Sequence, residues 1–152
     1  MTRIIFFVFI FLAAVVFSFW LLFRTDNPER NEKSIVRING TKYEVELAKT
    51  LTEQKLGLSN RAELKETAGM LFVFPLVQSR DFHMRGMQFP LDFVWIRDGR
   101  VVGTTENARP ASEIGFKVYP SPEKVDMVLE INAGEVENRK ISVGDSMELV
   151  VK

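Results

Sequence analysis

One histidine, His83, lies in the stretch FHMRGMQFPLD (residues 82–92) beside Met84, Arg85, Met87 and Asp92. Imidazole and thioether sulfur suit Cu(I), a soft ion, so His83, Met84 and Met87 form a candidate copper site. The same methionines also suit a hydrophobic core. Adjacent strand residues point to opposite faces, which would separate His83 from Met84. Asp92 enters the run LDFVWI, which is apolar on both faces and is expected to be buried on both sides. A carboxylate there is costly unless paired or hydrogen-bonded. Arg61, Arg85 and His83 are its candidate partners, with Arg61 the first choice, beside a cleft near the Pro90 end of the strand. Such a pair serves either as a structural ion pair or as part of a ligand site. Glu130, in the expected strand KVDMVLEI, is a second candidate acid. Either acid could act as a general base while Arg61 holds an anionic group, which is hydrolase or transferase chemistry.

Other chemistries are excluded or disfavoured. The chain has no cysteine, which removes thiol catalysis, disulfides, Fe–S clusters and thiolate zinc sites. One histidine cannot build a multi-histidine zinc site within one chain. The sequence contains no G-x-G-x-x-G, Walker A, G-x-S-x-G or H-E-x-x-H motif. Lys+Arg and Asp+Glu each number 20 among 152 residues, and beyond residue 33 the balance is 16 basic to 17 acidic. That gives no positive field for phosphates, so nucleic acid is not an expected partner.

The elements that would position these residues begin after a membrane segment. Residues 4–23, IIFFVFIFLAAVVFSFWLLF, contain one polar residue, Ser18. Such a run, as a helix, rises ~30 Å, the thickness of a bilayer's hydrocarbon core. It ends in Phe-Trp-Leu-Leu-Phe without an A-x-A-like cleavage site, so an uncleaved anchor is expected rather than a removed signal peptide. The expected order is a single-pass anchor (1–24), a polar linker (25–34) and a domain (35–152). The two-residue head favours an N-terminus inside the cytoplasmic membrane, with the domain on the extracytoplasmic side.

Within the domain, SIVRINGTKYEVEL alternates as a β-hairpin, and Asn39-Gly40 supplies the positive φ angles of a type I′ turn. Thr50-Leu51-Thr52-Glu53 predicts a capping box opening a short helix that ends at Gly57. NRAELKE predicts a second helical turn capped by Asn60. Strands are expected at MLFVF, DFHM, LDFVWI, RVVGTTE, KVDMVLEI and SMELVVK, with a helical turn in NAGEVENRK. Residues 107–123, carrying Pro110, Pro120 and Pro122, read as a long connection whose Phe116 and Tyr119 either close over a pocket or, as the favoured reading, staple the connection to the domain. The sum is a compact β-rich α+β domain, barrel-like, with one or two short helices.

Several motifs resemble the DUF192 family (also called UPF0127). They are Gly57-Leu58-Ser59-x-Arg61, Gly69-Met70-Leu71-Phe72-x-Phe74, Phe82-x-Met84, Phe89-Pro90-Leu91-Asp92 and Leu129-Glu130-x-x-Ala133-Gly134, followed by Gly144-Asp145. The resemblance implies a small β-rich domain, often exported or membrane-anchored, without an established activity. Family members commonly carry tryptophan where this chain has His83, so a role for His83 is not to be assumed for the family. The expected function is a non-catalytic binding or accessory domain for a small polar ligand or a protein partner. The alternative is the carboxylate-based hydrolase or transferase. A carboxylate of raised pKa in a deep pocket would favour the enzyme, and a shallow apolar groove would favour partner binding.

Overall fold

The computed structural model describes residues 33–151. The anchor and nearly all of the linker lie outside the described residues. No helix among the described residues is long and apolar enough to cross a membrane.

Strand β1 (Lys33–Ile38) pairs antiparallel with β2 (Thr41–Ala48) through the expected two-residue turn, Asn39 at φ 45° and Gly40 at φ 78°. Helix α1 (Leu51–Leu56) follows with its capping box formed: the Glu53 N–H donates to Thr50 Oγ1, and the Thr50 N–H donates to Glu53 Oε2. The chain then returns as β3 (Ala68–Gln78), parallel to β2. Next come β4 (Asp81–His83), β5 (Leu91–Arg97), β6 (Arg100–Ala108), α2 (Ala111–Ile114) and β7 (Val118–Pro120). The chain ends with β8 (Val125–Asn132), α3 (Glu135–Arg139) and β9 (Met147–Val151).

Seven strands form one sheet in the order β6-β5-β8-β3-β2-β1-β9, and β4 pairs with β7 in a small second sheet. The two edges of the large sheet meet at one end. Arg100 bridges to Ser146, the Val101 N–H donates to Asp145 O at 2.9 Å, and the Met147 N–H donates to Gly99 O at 2.8 Å. The result is a half-barrel.

Strand alternation divides the core in two. Val36, Tyr43, Val45, Leu71, Val94, Ile96, Leu129 and Ile131 pack on one face. Met70, Phe72, Phe93, Trp95 and Val128, with the loop residues Leu58 and Met84 and with Tyr119 of β7, pack on the other. Strand β5, one in from the β6 edge, is therefore buried on both sides, as its sequence predicted.

Two local expectations are corrected. NRAELKE is not helical: Asn60 takes φ 63° and its N–H donates to Gly86 O at 2.9 Å, so the loop is stitched to the turn after β4. Residues 107–123 are not a plain connection. They hold α2 and β7, and β7 gives DFH a strand partner: Phe82 lies opposite Tyr119. Pro122 packs directly on Gly103 of β6, where a side chain would collide with it. Tyr119 is buried in the core as a staple, whereas Phe116 is exposed.

Candidate functional site

Strand β3 creates the main cavity by leaving its partner. Its register against β8 runs evenly from Gly69↔Ile131 to Val73↔Met127, then jumps to Gln78↔Val125. Three extra residues of β3 bulge outward around Pro75, which has no N–H to give a ladder. Helix α1 closes the opposite wall. The Gln54 side-chain amide fixes it, donating to Ala48 O at 3.2 Å and Val73 O at 2.9 Å. Between them lies a cavity of about 400 Å³. That is within the range of small-molecule sites, ~300–1,000 Å³.

Its apolar wall includes Leu56, Phe72, Phe74, Phe82 and Met87. Phe82 is the centre of an aromatic cluster, 4.9 Å from Phe72 and 5.5 Å from Trp95, both edge-on. The polar lining includes Lys55, Arg80, Asp81, His83 and Glu130.

Glu130 is the distinctive group. It sits on β8 between Met70 of β3 and Phe93 of β5, so its strand neighbours are apolar. The residue is only 5% exposed, and its carboxyl has no hydrogen-bond or ionic partner among the described residues. Burial alone pushes its pKa up to about 8, so at neutral pH it is mostly a carboxylic acid, able to donate as well as accept.

Arg80 is held from several sides. Its guanidinium stacks on Phe74 at 3.9 Å, and one of its nitrogens donates to Leu76 O at 3.0 Å. Its backbone exchanges hydrogen bonds with Ser121. Its Nε is buried without an acceptor, and no carboxylate pairs with it among the described residues. Nothing in the sequence marks this arginine, which stands in the ordinary turn sequence Ser79-Arg80-Asp81.

The four candidates chosen from sequence do not converge. His83 and Glu130 line the cavity just described. Arg61 lines a separate recess of about 250 Å³ with Glu44, Glu46 and Glu63. Asp92 lines neither. The expected Asp92–Arg61 pair is replaced by two other arrangements. Arg61 makes a two-pronged contact with Glu46 at 2.6 and 2.7 Å. Asp92 is fully buried, as expected, but accepts from backbone: the Asn107 N–H at 2.8 Å and the Val136 N–H at 2.9 Å. Val136 is in the first turn of α3, so Asp92 satisfies a free donor at that helix end. Two backbone N–H groups satisfy its oxygens where a cation was expected. Arg61 therefore cannot hold an anion over Glu130.

The copper trio is also divided. Met84 is 2% exposed in the core, whereas Met87 and His83 reach the cavity wall. His83 Nδ1 accepts from the Arg85 N–H at 3.4 Å. Among the described residues no group of three His, Asp or Glu side chains is placed to hold a metal.

A half-barrel with a cavity between α1 and the β3 bulge, floored by an acid without a partner among the described residues, defines a class of small β-rich domain. The chain belongs to the DUF192 family, described as "Uncharacterized ACR", whose profile matches residues 34–149. Two crystal structures share the fold. One, from Sinorhizobium meliloti 1021, described as a "putative transcription regulator", is 35% identical with a TM-score of 0.71, over 77% of this chain and 93% of that one. The other, a protein of unknown function from Novosphingobium aromaticivorans DSM 12444, is 33% identical with a TM-score of 0.70, over 75% of this chain and 83% of that one. No functionally curated protein matches the chain.

Proposed function

We propose that this protein is a membrane-anchored, extracytoplasmic binding domain whose ligand occupies the cavity over Glu130. Residues 4–23 supply the anchor by their length and uniform apolarity. The observation that carries the binding reading is the Glu130 carboxyl, 5% exposed at the cavity and without a partner among the described residues. A buried polar group ordinarily has a hydrogen-bond partner, and a ligand would provide one here. The charge balance of the domain gives no basis for extending the regulator description of the S. meliloti protein to this chain.

Protein-observed NMR on residues 34–152 with a library of soluble small molecules tests the site. Shifts should cluster at Phe74, Arg80, Phe82, His83 and Glu130. Shifts confined to the Arg61 recess, or none anywhere, would overturn the reading.

A second reading is favoured by the pKa of about 8 at Glu130, close to where a general acid works best. The cavity then catalyses a proton transfer on the bound molecule. Glu130→Gln separates the two, because glutamine keeps a neutral donor and acceptor but cannot give up a proton. Binding should survive within a few-fold, while turnover of any substrate found should vanish.

A further inference from the structure

We propose that the cavity takes a small amphipathic anion, its charged group held by the Arg80 guanidinium and its apolar body lying against Phe72, Phe74 and Phe82. This rests on the reading of the cavity as a ligand site, and adds the chemical class of the ligand.

Three observations agree. Arg80 is a positioned cation without a counter-charge among the described residues: Phe74 stacks on it, Leu76 O accepts from it, and its buried Nε has no acceptor. A guanidinium fixed in this way loses little freedom on meeting a carboxylate or phosphate fork. The other formal charges of the lining are Lys55 on α1, and Asp81 and His83 on β4, besides Glu130 on β8. The strands beside Glu130 present Met70, Phe72 and Phe93, which carry no charge. With the Glu130 carboxyl protonated, the Arg80 guanidinium and the Lys55 ammonium face one carboxylate, that of Asp81, which is exposed to water. The apolar side is equally built: the Phe72–Phe82 pair lies edge-on beneath the cavity, and the Leu51 and Leu56 side chains stand 76% and 57% exposed along the α1 wall. A purely polar ion would leave that surface uncovered.

The test uses the full chain in lipid nanodiscs and ligand-observed fluorine NMR. The probes are 6-fluoro-2-naphthoate, the matching alcohol and the matching methylamine. Empty nanodiscs of the same lipid report partition into the bilayer. The naphthoate should bind the wild type at least tenfold more tightly than either counterpart. Arg80→Gln should reduce that preference to within about twofold, and Arg80→Lys should keep part of it. Equal binding of naphthoate and alcohol to the wild type would overturn the anion inference and leave the cavity as a ligand site. Tighter binding of the amine would do the same, by assigning the cavity to cations. Binding of none of the three above the lipid background would remove both the inference and the reading beneath it. The comparison within the wild type stands even if a variant misfolds.

Discussion

At the scale of single residues, Glu130 makes the protein's stability fall as pH rises. Its pKa is about 8 in the fold against the ordinary carboxyl value of 4.5, so between these the folded state holds a proton that the unfolded chain has released. Stability therefore declines with pH across that window, by up to about 1.4 kcal/mol per unit. The contribution is fully present below pH 4.5 and lost as pH passes 8. Glu130→Gln removes this slope. Thermal melts of both proteins from pH 4 to 9 should give nearly equal midpoints at the acid end and an advantage for the variant that grows from about pH 5 and levels off above about pH 8. Parallel curves would show that the Glu130 carboxyl titrates normally. Asp92 predicts the opposite kind of failure. Asparagine there turns one acceptor oxygen into a donor facing a backbone N–H, so Asp92→Asn should cost about 1–3 kcal/mol. Combined with Arg61→Met the effects should add to within about 0.5 kcal/mol, because the two side chains share no contact. Strong coupling in urea denaturation would restore the ion pair expected from sequence. The burial of Asp92 was legible in LDFVWI because alternation reports which faces are covered. Its partners were not, because they are backbone groups brought in from residues 107 and 136.

At the scale of elements, the family motif Gly69-Met70-Leu71-Phe72 acquires a physical reason. A Cβ on Gly69 would lie 2.7 Å from Glu130 O, with Ile131 and Leu129 side chains at 3.2 and 3.3 Å. The glycine lets β3 pass close to β8 beside the acid that floors the cavity. Gly69→Ala should cost about 1–3 kcal/mol through overpacking, and amide shifts should move along β8 on both sides of Glu130. An unchanged urea midpoint with unmoved β8 amides would show that the strands part freely there. Local signals served the sequence reading well where chemistry is local, as in the Asn39-Gly40 turn and the Thr50–Glu53 box. They failed where a distant segment decides. NRAELKE has helix-forming residues, yet Asn60 is drawn to Gly86. Val118–Pro120 became a strand only because Asp81–His83 needed a partner. The bulge that opens the cavity was marked only by Pro75, and Arg80 by nothing.

At the scale of the whole molecule, the half-barrel holds its core within residues 34–151. Both apolar clusters are built from those residues, and the solved S. meliloti chain is covered over 93% of its length by this fold. A chain starting at Ser34 should therefore be soluble, fold cooperatively and retain the cavity. The full chain should stay with membranes through alkaline carbonate washing, because a helix over residues 4–23 would bury enough apolar surface to insert irreversibly. Orientation is tested by protease added to intact cells: with the domain extracytoplasmic, it should become accessible once the outer barrier is opened, while cytoplasmic markers stay protected. Recovery of a shortened mature protein free in the extracytoplasmic fluid would replace the anchor by a cleaved signal, yet leave the binding reading intact. A domain protected until the cytoplasmic membrane is broken would reverse the orientation. The cavity would then meet cytoplasmic rather than exported molecules, and the search for its anion would move to that compartment.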